Sequence, residues 1–320
     1  MDIDLYVLGY KKFATTTEKC IRSLISQAQQ LEASVYVLDN GSPDNSPELQ
    51  KKFCEAFPQI HDLYSEKNLG YAGGMNFLAS QGTGEWFILV GSDTVFYPDS
   101  LVRFKEVLKK VPANVGIVGP VTNSAGTAQC IESLGTTHQE VLDRAEQYFS
   151  QSTNLLLPLY RADFFCVAIR RTLWDQLGGL DLIYGLGYYE DFDFSMRAKQ
   201  LGYSCLMVED VFVFHQGSAS FKGSLEQSLL LKRNKNIFKN KFPRAQMRHV
   251  RLDVYQTIQW ILDLQLETCD QLHVDAISNH LQLRIESLAQ NIPKGWIKKM
   301  IWKYRVQSLY KKYHDWQRQN

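Results

Sequence analysis

The sequence has 320 residues, of which 45% are hydrophobic and 22% are charged, and its formal net charge is +1. This composition is ordinary for a globular protein, so it excludes disordered and fibrous chains, and the near-neutral charge argues against a nucleic-acid partner. The length suits one large α/β domain of about 200–250 residues followed by an appendage.

Cysteine usage and apolar runs bear on where the protein resides. The six cysteines are scattered and form no CxxC pair, which argues against a zinc or redox motif and suits a reducing cytosol. The first residues, MDIDLYVLGY, contain neither a basic region nor a long apolar run, so they predict no signal peptide. No run approaches the roughly 18 apolar residues of a transmembrane helix. We therefore expect a cytoplasmic protein.

The first part of the chain alternates short apolar runs with helical patterns. Strands are predicted at residues 3–8, 35–38, 61–64, 86–90 and 115–118. A helix is predicted over residues 17–30, and a second is predicted to begin with Ser46 as its N-cap. Such alternation is typical of parallel βαβ units, and the fully apolar run at 86–90 predicts a central strand.

The second part of the chain changes from mixed to helical patterns. Strands are predicted at 164–169 and 204–208, on either side of residues 180–201. Beyond residue 224 the predicted elements are all helices, at 225–238, 251–266, 275–289 and 296–316. We place a domain boundary near residue 222, which divides an α/β domain, 1–222, from a helical region, 223–320.

Single polar residues follow three of the predicted strands. Asp39 begins the turn DNGS, and a carboxylate at the end of a parallel strand lies where α/β sheets bind ligands. Asp93 follows the central strand in GSDT, where a carboxylate can hold Mg²⁺ or Mn²⁺. His215 follows a late apolar run and can complete a metal site or contact a phosphate. The alternatives are an ordinary turn, a helix cap and a structural histidine.

The stretch NLGYAGGMN, residues 68–76, has three glycines within five residues at the start of a predicted helix. Glycines at such a position let backbone N–H groups approach a phosphate or a sugar closely. The spacing is not GxGxxG, which argues against a dinucleotide-binding dehydrogenase. The alternative is a glycine-rich helix start without a ligand.

The stretch YYEDFDFSMR contains three acids within four residues. Clustered carboxylates raise one another's pKa unless a cation or a helix N-terminus is near. Asp193 precedes Arg197 by four residues, so a helix would pair them. That pairing leaves Glu190 and Asp191 to face a cleft. The alternative is an acidic helix start with a salt bridge and no further role.

Taken in order, the pieces DNGS, NLGYAGGMN, SDT, YEDFDFSMRAKQLGY and VFHQGSAS resemble the family 2 glycosyltransferases of the GT-A fold. The resemblance covers about residues 3–220, and NLGYAGGMN is most similar to the bacterial rhamnosyltransferase-like branch. It implies a Rossmann-like mixed α/β sheet of the nucleotide-diphospho-sugar transferase type with a C-terminal helical extension. It also implies inverting transfer of a sugar from a dTDP-, UDP- or GDP-sugar to a hydroxyl of a glycan or lipid-linked acceptor, in bacterial surface polysaccharide synthesis.

The resemblance assigns roles to single residues of this sequence. It implies that Asp39 contacts the nucleoside, that Asp93 binds the metal, and that His215 is a metal or diphosphate ligand. Asp191 matches the catalytic base, with Glu190 as its neighbour. Further contacts with the nucleotide-sugar are implied for Asn68, Gly70, Gly73, Gly74, Asn76 and Ser92.

The metal-binding element departs from the pattern of the family. That element usually reads Asp-x-Asp or Asn-x-Asp, whereas Gly91 stands first here, so we expect a divalent cation held with weaker affinity. This departure keeps open a non-catalytic nucleotide-sugar binding module whose helical tail acts as an interaction scaffold. Contacts with the acceptor are expected within residues 123–163.

The C-terminal residues 293–320 carry a net charge of +7, so the rest of the chain carries −6. Their apolar and aromatic residues recur at helical spacing between lysines and arginines, which predicts a basic amphipathic helix. Such a helix suits the interface of an anionic membrane, so we expect peripheral contact at the inner face of the membrane. The alternative is that its aromatic side packs on the α/β domain while the lysines are solvated.

Overall fold

The computed structural model describes residues 1–135, 137–149, 151–217, 225–245, 247, 249–264 and 270–320. Within them, the strands are β1 Ile3–Gly9, β2 Ser34–Asp39, β3 Ile60–Tyr64, β4 Trp86–Gly91, β5 Thr94–Phe96, β6 Val115–Val121, β7 Leu156–Pro158, β8 Cys166–Arg170 and β9 Ser204–His215. The helices are α1 Thr17–Gln30, α2 Ser46–Glu55, α3 Gly70–Ala79, α4 Ser100–Leu108, α5 His138–Phe149, α6 Arg171–Leu177, α7 Glu190–Gln200, α8 Leu225–Lys241, α9 Val250–Leu262, α10 Gln271–Gln290 and α11 Trp296–Gln319.

The strands form one mixed sheet in the order β3-β2-β1-β4-β8-β6-β9-β5, with β7 also paired to β9. Strands β1 to β4 pair in parallel, which confirms the predicted βαβ units, and β4 lies in the middle of the sheet. Strand β8 runs antiparallel to both β4 and β6, and β9 is parallel to β6. Six strands therefore point the same way, and the residues that follow β2, β4 and β9 lie along one edge of the sheet.

The two faces of the sheet are covered by different helices because side chains alternate along each strand. In β1, Leu5 and Val7 point into a core that includes residues of α1, α2 and α4. Tyr6 points to the opposite side, into a core that includes residues of α3, α5 and α9 to α11. Each fully buried side chain of this kind contributes about 1.5–3 kcal/mol of transfer free energy.

The C-terminal helices pack on the same cores as the sheet. Ile258, Leu281 and Leu309, from α9, α10 and α11, belong to the core on the Tyr6 side. On α8, Phe238 stacks on Phe192 of α7 with ring centroids 4.2 Å apart. The predicted boundary at residue 222 lies outside the described residues, and the division into 1–222 and 223–320 stays a prediction.

Several predicted element boundaries are corrected by the structure. Helix α2 begins at Ser46, with Asn45 in the N-cap position, and the Ser46 hydroxyl instead accepts a hydrogen bond from the Phe13 backbone N–H, 3.1 Å away. Helix α10 begins at Gln271, four residues earlier than predicted, because the Asp270 carboxylate caps it. The described part of the helix predicted over 251–266 ends at Leu262.

Candidate active site

A cavity of about 720 Å³ opens at the sheet edge where the parallel strands end. Clefts at this edge are where open α/β sheets bind ligands. Of the residues predicted from sequence, those lining the cavity are Asn68, Gly70, Ser92, Asp93, Glu190, Asp191 and His215. The structure therefore gathers residues from four separate segments of the chain into one place.

Asp93 and His215 lie beside each other in the wall of this cavity. The pairing of β5 with β9 sets Thr94 opposite His215, and the Asp93 Oδ2 lies 3.5 Å from the His215 Nε2. The other ring nitrogen, Nδ1, donates to the Ser124 carbonyl at 2.7 Å. Burial works to lower the pKa of His215, but the hydrogen bond and charge of Asp93 outweigh it and raise that pKa. The imidazole is thus held with Nε2 toward the carboxylate.

The side chain of Asn123 also holds His215 in place. Its Oδ1 accepts from the His215 backbone N–H at 2.9 Å, and its Nδ2 donates to the His215 carbonyl at 3.1 Å. The ring stacks on Phe165 with centroids 5.2 Å apart. Backbone and ring are therefore fixed before any ligand binds.

This pair fits a divalent cation. A histidine whose second ring nitrogen donates to a carbonyl is the usual arrangement of a metal ligand. Among the described residues no three His, Cys, Asp or Glu side chains converge on a metal position. Mg²⁺ and Mn²⁺ are commonly held by one or two protein groups, with phosphate oxygens and water completing the shell. Asp93 and His215 suit that mode.

Steric contacts explain why glycine, at position 91, occupies the first position of the metal element. A Cβ on Gly91 would lie 3.1 Å from the Phe165 carbonyl oxygen and 3.2 Å from the Asp93 Oδ1. The Gly91 N–H also donates to that carbonyl at 2.8 Å. A side chain here would press on the Asp93 carboxylate.

The second group of acids lies at the start of α7. Tyr188 and Tyr189 precede it with φ angles of 72° and 78°, which cost non-glycine residues about 1–3 kcal/mol each and are concentrated at functional sites. The Asp191 Oδ1 accepts from the Phe192 N–H at 2.7 Å, and its Oδ2 lies 3.3 Å from Arg161. Arg161 also pairs with Asp163.

Burial raises the pKa of both acids that face the cavity. The pKa of Glu190 is raised further by the charge of Asp191, and its Oε2 has no hydrogen-bond partner among the described residues. The pKa of Asp191 is raised by burial and by Asp163, and the charge of Arg161 opposes that rise. Two neighbouring buried carboxyls tend to share one proton. The cation beside Asp191 makes Asp191 the ionised member and Glu190 the protonated one.

The third acid of the cluster has the structural role predicted for it. Asp193 pairs with Arg197 at 2.5 Å, which confirms the predicted salt bridge. Its other oxygen contacts Lys241 at 2.5 Å and accepts from the Tyr184 hydroxyl at 3.0 Å. Asp193 is fully buried and ties α7 to α8.

Helix α8 also fixes the loop that leads into α7. The Asn234 Nδ2 lies 2.8 Å from the carbonyl of Tyr184, 2.7 Å from that of Gly187 and 3.0 Å from that of Tyr188. Asn234 itself is fully buried. The helical region therefore supports the acidic pair, a role that its sequence pattern did not indicate.

The glycine-rich stretch forms the start of α3 and is fastened to the end of β2. The Asn40 Oδ1 accepts from the Leu69 N–H at 3.0 Å, and its Nδ2 donates to the Gly70 carbonyl at 3.1 Å. Gly70 has a φ of 72°, and a Cβ there would lie 2.3 Å from the Gly185 carbonyl oxygen. Only glycine allows the loop before α7 to come this close.

Four residues that were assigned to nucleotide-sugar binding do not line the cavity. Gly73 and Gly74 lie within α3, and a Cβ on Gly74 would meet Leu8 at 2.5 Å. Asn76 exchanges two hydrogen bonds of 2.9 Å with the backbone of Leu180. Asp39 is 2% exposed, and its Oδ1 accepts from the Ser42 N–H at 2.9 Å. Their contacts with a donor stay predictions, as do those of the lining residues.

The cavity also includes side chains that the sequence patterns did not single out. Polar members of this group include Asn40, Tyr71, Arg161 and Asp163. Arg161 and Asp163 fall within residues 123–163, where acceptor contacts were expected, but no motif marked them. The Tyr71 hydroxyl donates to the Phe164 carbonyl at 2.6 Å. This hydrogen bond fixes the orientation of the tyrosine ring in the wall of the cavity.

Comparisons with known proteins agree on one class. The family model described as "Glycosyl transferase family 2" matches residues 9–177. The N-acetylglucosaminyl-diphospho-decaprenol L-rhamnosyltransferase of Mycobacterium tuberculosis is 25% identical over 238 residues, covering 63% of this chain and 72% of that protein. Glycosyltransferase GlyG of Streptococcus pneumoniae is 24% identical over 155 residues, covering 45% of this chain and 50% of that protein.

Solved structures with the same fold are more distant in sequence. The mannosyltransferase PcManGT from Pyrobaculum calidifontis, in complex with GDP-Man and Mn²⁺, superposes with a TM-score of 0.52 at 17% identity, covering 98% of this chain and 82% of its own. S. aureus TarS 1-349 gives 0.53 at 13% identity, covering 100% and 92%. These similarities confirm the predicted GT-A fold class.

Proposed function

Because the chain belongs to glycosyl transferase family 2 and is therefore a glycosyltransferase, we propose that it performs a single inverting displacement on a nucleoside-diphosphate sugar. The Mycobacterium tuberculosis relative supports the similarity to the rhamnosyltransferase-like branch that NLGYAGGMN indicated. One observation carries the proposal: the Asp93–His215 pair and the Glu190–Asp191 pair line the same cavity.

In the proposed reaction a hydroxyl of the acceptor attacks the anomeric carbon of the donor sugar. The new bond joins that oxygen to the anomeric carbon, and the bond to the diphosphate oxygen breaks with its electron pair. Asp191, the ionised member of the acidic pair, accepts the hydroxyl proton. Glu190, the protonated member, supplies a hydrogen-bond donor to the reacting groups. One base with no second nucleophile gives inversion.

Charge that develops on the leaving diphosphate needs stabilisation by a second group of residues in the cavity. Asp93 and His215 are the residues that would hold Mg²⁺ or Mn²⁺ there. The bound cation supplies Lewis-acid stabilisation of the departing diphosphate. Asn123 and Ser124 orient His215 for this role. Asn68, Gly70 and Ser92 are the proposed donor contacts.

We further propose a dTDP-, UDP- or GDP-sugar as donor and a glycan or lipid-linked hydroxyl as acceptor, in the synthesis of a bacterial surface glycan. The name of the Mycobacterium tuberculosis relative, which includes a diphospho-decaprenol acceptor, supports a lipid-linked one. The apolar residues Leu186, Leu230 and Leu231 lining the cavity are compatible with such an acceptor.

A panel of dTDP-, UDP- and GDP-sugars with Mn²⁺ tests the function. We expect one donor class to raise the unfolding temperature, since a ligand that binds only the folded state stabilises it by mass action. The same donor should release nucleoside diphosphate when an acceptor is added. Protection without release would favour the non-catalytic nucleotide-sugar binding module instead.

The cation requirement is a separate prediction. We expect Asp93→Ala to raise the Mn²⁺ concentration for half-maximal activity by at least about tenfold, because the carboxylate nearest His215 is lost. A Mn²⁺ titration of the initial rate measures this, with the exposed Asp143→Ala as the matched control. Full wild-type activity in excess chelator would contradict the cation site.

The pH dependence of kcat should shift in opposite directions in two variants. The groups around Asp191 are Arg161, Asp163, Glu190 and Tyr71. Removing the cation in Arg161→Gln raises the pKa of Asp191, so the acid limb of the kcat profile moves up by about one to two pH units. Removing a negative charge in Asp163→Asn lowers that pKa, so the limb moves down.

Initial rates over a pH series in saturating donor measure the position of the acid limb in each variant. A purely structural role of Arg161 would lower kcat equally at every pH and leave the limb in place. Shifts of the same sign in Arg161→Gln and Asp163→Asn would also contradict the assignment of Asp191 as the base.

A further inference from the structure

Helix α11 has two apolar sides, and only one of them is packed. The packed side contains Trp302, Val306, Leu309, Tyr313 and Trp316, which are all buried. The Trp302 indole N–H donates to the Leu288 carbonyl at 3.3 Å, so this side is docked on α10. The exposed apolar residues of the helix take no part in this docking.

The second apolar side belongs to the first half of the helix. We define the outer face of α11 as six exposed side chains: Ile292, Trp296, Ile297, Met300, Ile301 and Tyr304. Trp296 and Tyr304 are 72% and 74% exposed. Successive residues of an α-helix are rotated by about 100°, which centres the arc of the five helical members about 180° from the packed side. The outer face therefore points away from the rest of the protein.

Contiguous exposed apolar residues mark an interaction site, whereas single ones are ordinary. The segment 292–305 that contains the outer face also carries exposed basic residues and no acid in its sequence, the basic residues being Lys294, Lys298, Lys299, Lys303 and Arg305. The first acid after it is Asp315, near the end of α11. Exposed apolar and aromatic groups on a helix that also carries exposed cations are complementary to an anionic lipid surface.

We propose that the outer face of α11 docks the protein on an anionic membrane surface. Its apolar side chains enter the boundary between headgroups and acyl chains, and its lysines contact anionic headgroups. Within the described residues no helix is long and apolar enough to cross a membrane. The contact is therefore interfacial, through a helix that lies along the surface and is held to the protein by its packed side.

A second copy of the chain fits this face less well. A two-fold contact places the same surface on both partners, so the five basic residues around one outer face would oppose those of the other. Like charges brought together across an interface are repulsive, whereas anionic lipids neutralise them. The positive charge beside the outer face therefore favours binding to an anionic membrane over self-association.

Sedimentation with vesicles tests the docking, and no donor or acceptor is needed. Vesicles of equal parts phosphatidylcholine and phosphatidylglycerol should bind the full chain at low salt, and phosphatidylcholine alone should bind it weakly. Raising the salt concentration should weaken binding, since surface electrostatics are screened. Failure to bind anionic vesicles at low salt would overturn the proposal, while release of nucleoside diphosphate without vesicles reports independently on the transfer reaction.

Matched variants distinguish membrane binding by the outer face from non-specific adsorption of exposed apolar residues. We expect Trp296→Ser with Met300→Ser to lower vesicle partitioning by at least about tenfold. The control pair Leu252→Ser and Leu272→Ser, exposed on α9 and α10, should change it by less than about twofold. All these positions are exposed, so wild-type unfolding temperatures are expected and are measured in parallel.

Charge reversal gives a second comparison. Lys298→Glu with Lys299→Glu should lower partitioning by at least about tenfold, since each basic group near an anionic surface is worth about fivefold. Lys51→Glu with Lys52→Glu, exposed on α2, should change it far less. Equal losses in both pairs would overturn the proposal. So would a wild-type dimer that ignores vesicles and that Trp296→Ser with Met300→Ser converts to a monomer in sedimentation velocity.

Discussion

Asp191→Asn is expected to lower kcat by about 10²–10⁴-fold, the usual contribution of a positioned general base. The amide is nearly isosteric with the carboxylate, but it cannot accept the hydroxyl proton. Donor binding should be preserved, because the change leaves the Asp93–His215 end of the cavity intact. Single-turnover rates give the loss in the chemical step, and thermal protection by the donor gives the binding.

Glu190→Gln is the matched comparison for this variant. If Glu190 is the protonated member of the pair, the amide keeps its hydrogen-bond donor and kcat falls much less than in Asp191→Asn. The reverse order, with Asp191→Asn keeping more than about a tenth of wild-type kcat, would move the role of base to Glu190. Either order identifies which carboxyl carries the proton.

Local sequence patterns predicted the parallel half of the sheet well. The apolar runs that became β1, β2 and β4 are short and bounded by polar turns, and that length favours a strand over a helix. The turn residues after them, such as Asp93, therefore fell at the correct edge. The sequence patterns did not indicate whether neighbouring strands pair in parallel or antiparallel. In particular, no local pattern predicted that β8 lies between β4 and β6 and runs antiparallel to both.

Because the antiparallel direction of β8 was not predicted, Arg161 and Asp163 were not identified as site residues. They precede β8, and only its antiparallel course brings them to the edge where β4 and β9 end. The Arg161–Asp191 contact spans 30 residues of sequence and depends on that topology. No spacing rule within one element could predict it.

The glycine-rich stretch shows the opposite problem, in which one pattern fits two physical causes. Gly70 lines the cavity and needs its positive φ, as a ligand-binding loop would. Gly74 instead allows close packing of α3 on Leu8 of β1. Both causes favour glycine, so the sequence alone does not separate a ligand contact from a helix–strand contact.

The structure shows packing for one side of the C-terminal tail, on α10, while membrane contact of the tail stays a proposal. Its aromatic residues divide between the packed side and the outer face of α11, because a helix with apolar residues over a wide arc presents two surfaces. Trp302 and Trp296 are alike in sequence context, yet only Trp302 has a partner helix. Which tryptophan is buried depends on where α10 lies, and helical spacing does not contain that information.

The buried pair of Glu209 and Arg284 joins this helical region to the sheet. Two hydrogen bonds of 2.6 Å connect the Arg284 guanidinium on α10 to the Glu209 carboxylate on β9, and His280 adds a third contact at 3.2 Å. All three side chains are fully buried. Burial works to raise the pKa of Glu209, but Arg284 and His280 outweigh it and hold that pKa well below its usual range.

Arg284→Met is therefore expected to lower the free energy of unfolding by about 3–5 kcal/mol near neutral pH. The methionine fills similar volume, while the Glu209 carboxylate loses both guanidinium hydrogen bonds in a buried setting. Urea unfolding measures the loss. The double variant Glu209→Gln with Arg284→Met removes the buried charge and should recover part of it.

The same variant has a pH dependence of known sign. In the wild type the depressed pKa of Glu209 contributes stability that is present above the pKa of an unfolded glutamate and is lost as pH falls through the folded value. In Arg284→Met that pKa is raised by burial, so the destabilisation should be larger at about pH 8 than at about pH 5. A loss independent of pH would mean that packing, and not the carboxylate, is responsible.

The shape of the Arg284→Met transition also tests the predicted division of the chain at residue 222. If residues 223–320 unfold independently, the variant should produce an early transition of the helical region while the sheet unfolds at its wild-type midpoint. The helices share a core with the sheet, and Arg284 crosses between them, so we expect one transition that moves as a whole. Far-ultraviolet circular dichroism and vesicle binding should then be lost together, because the packed side of α11 rests on α10.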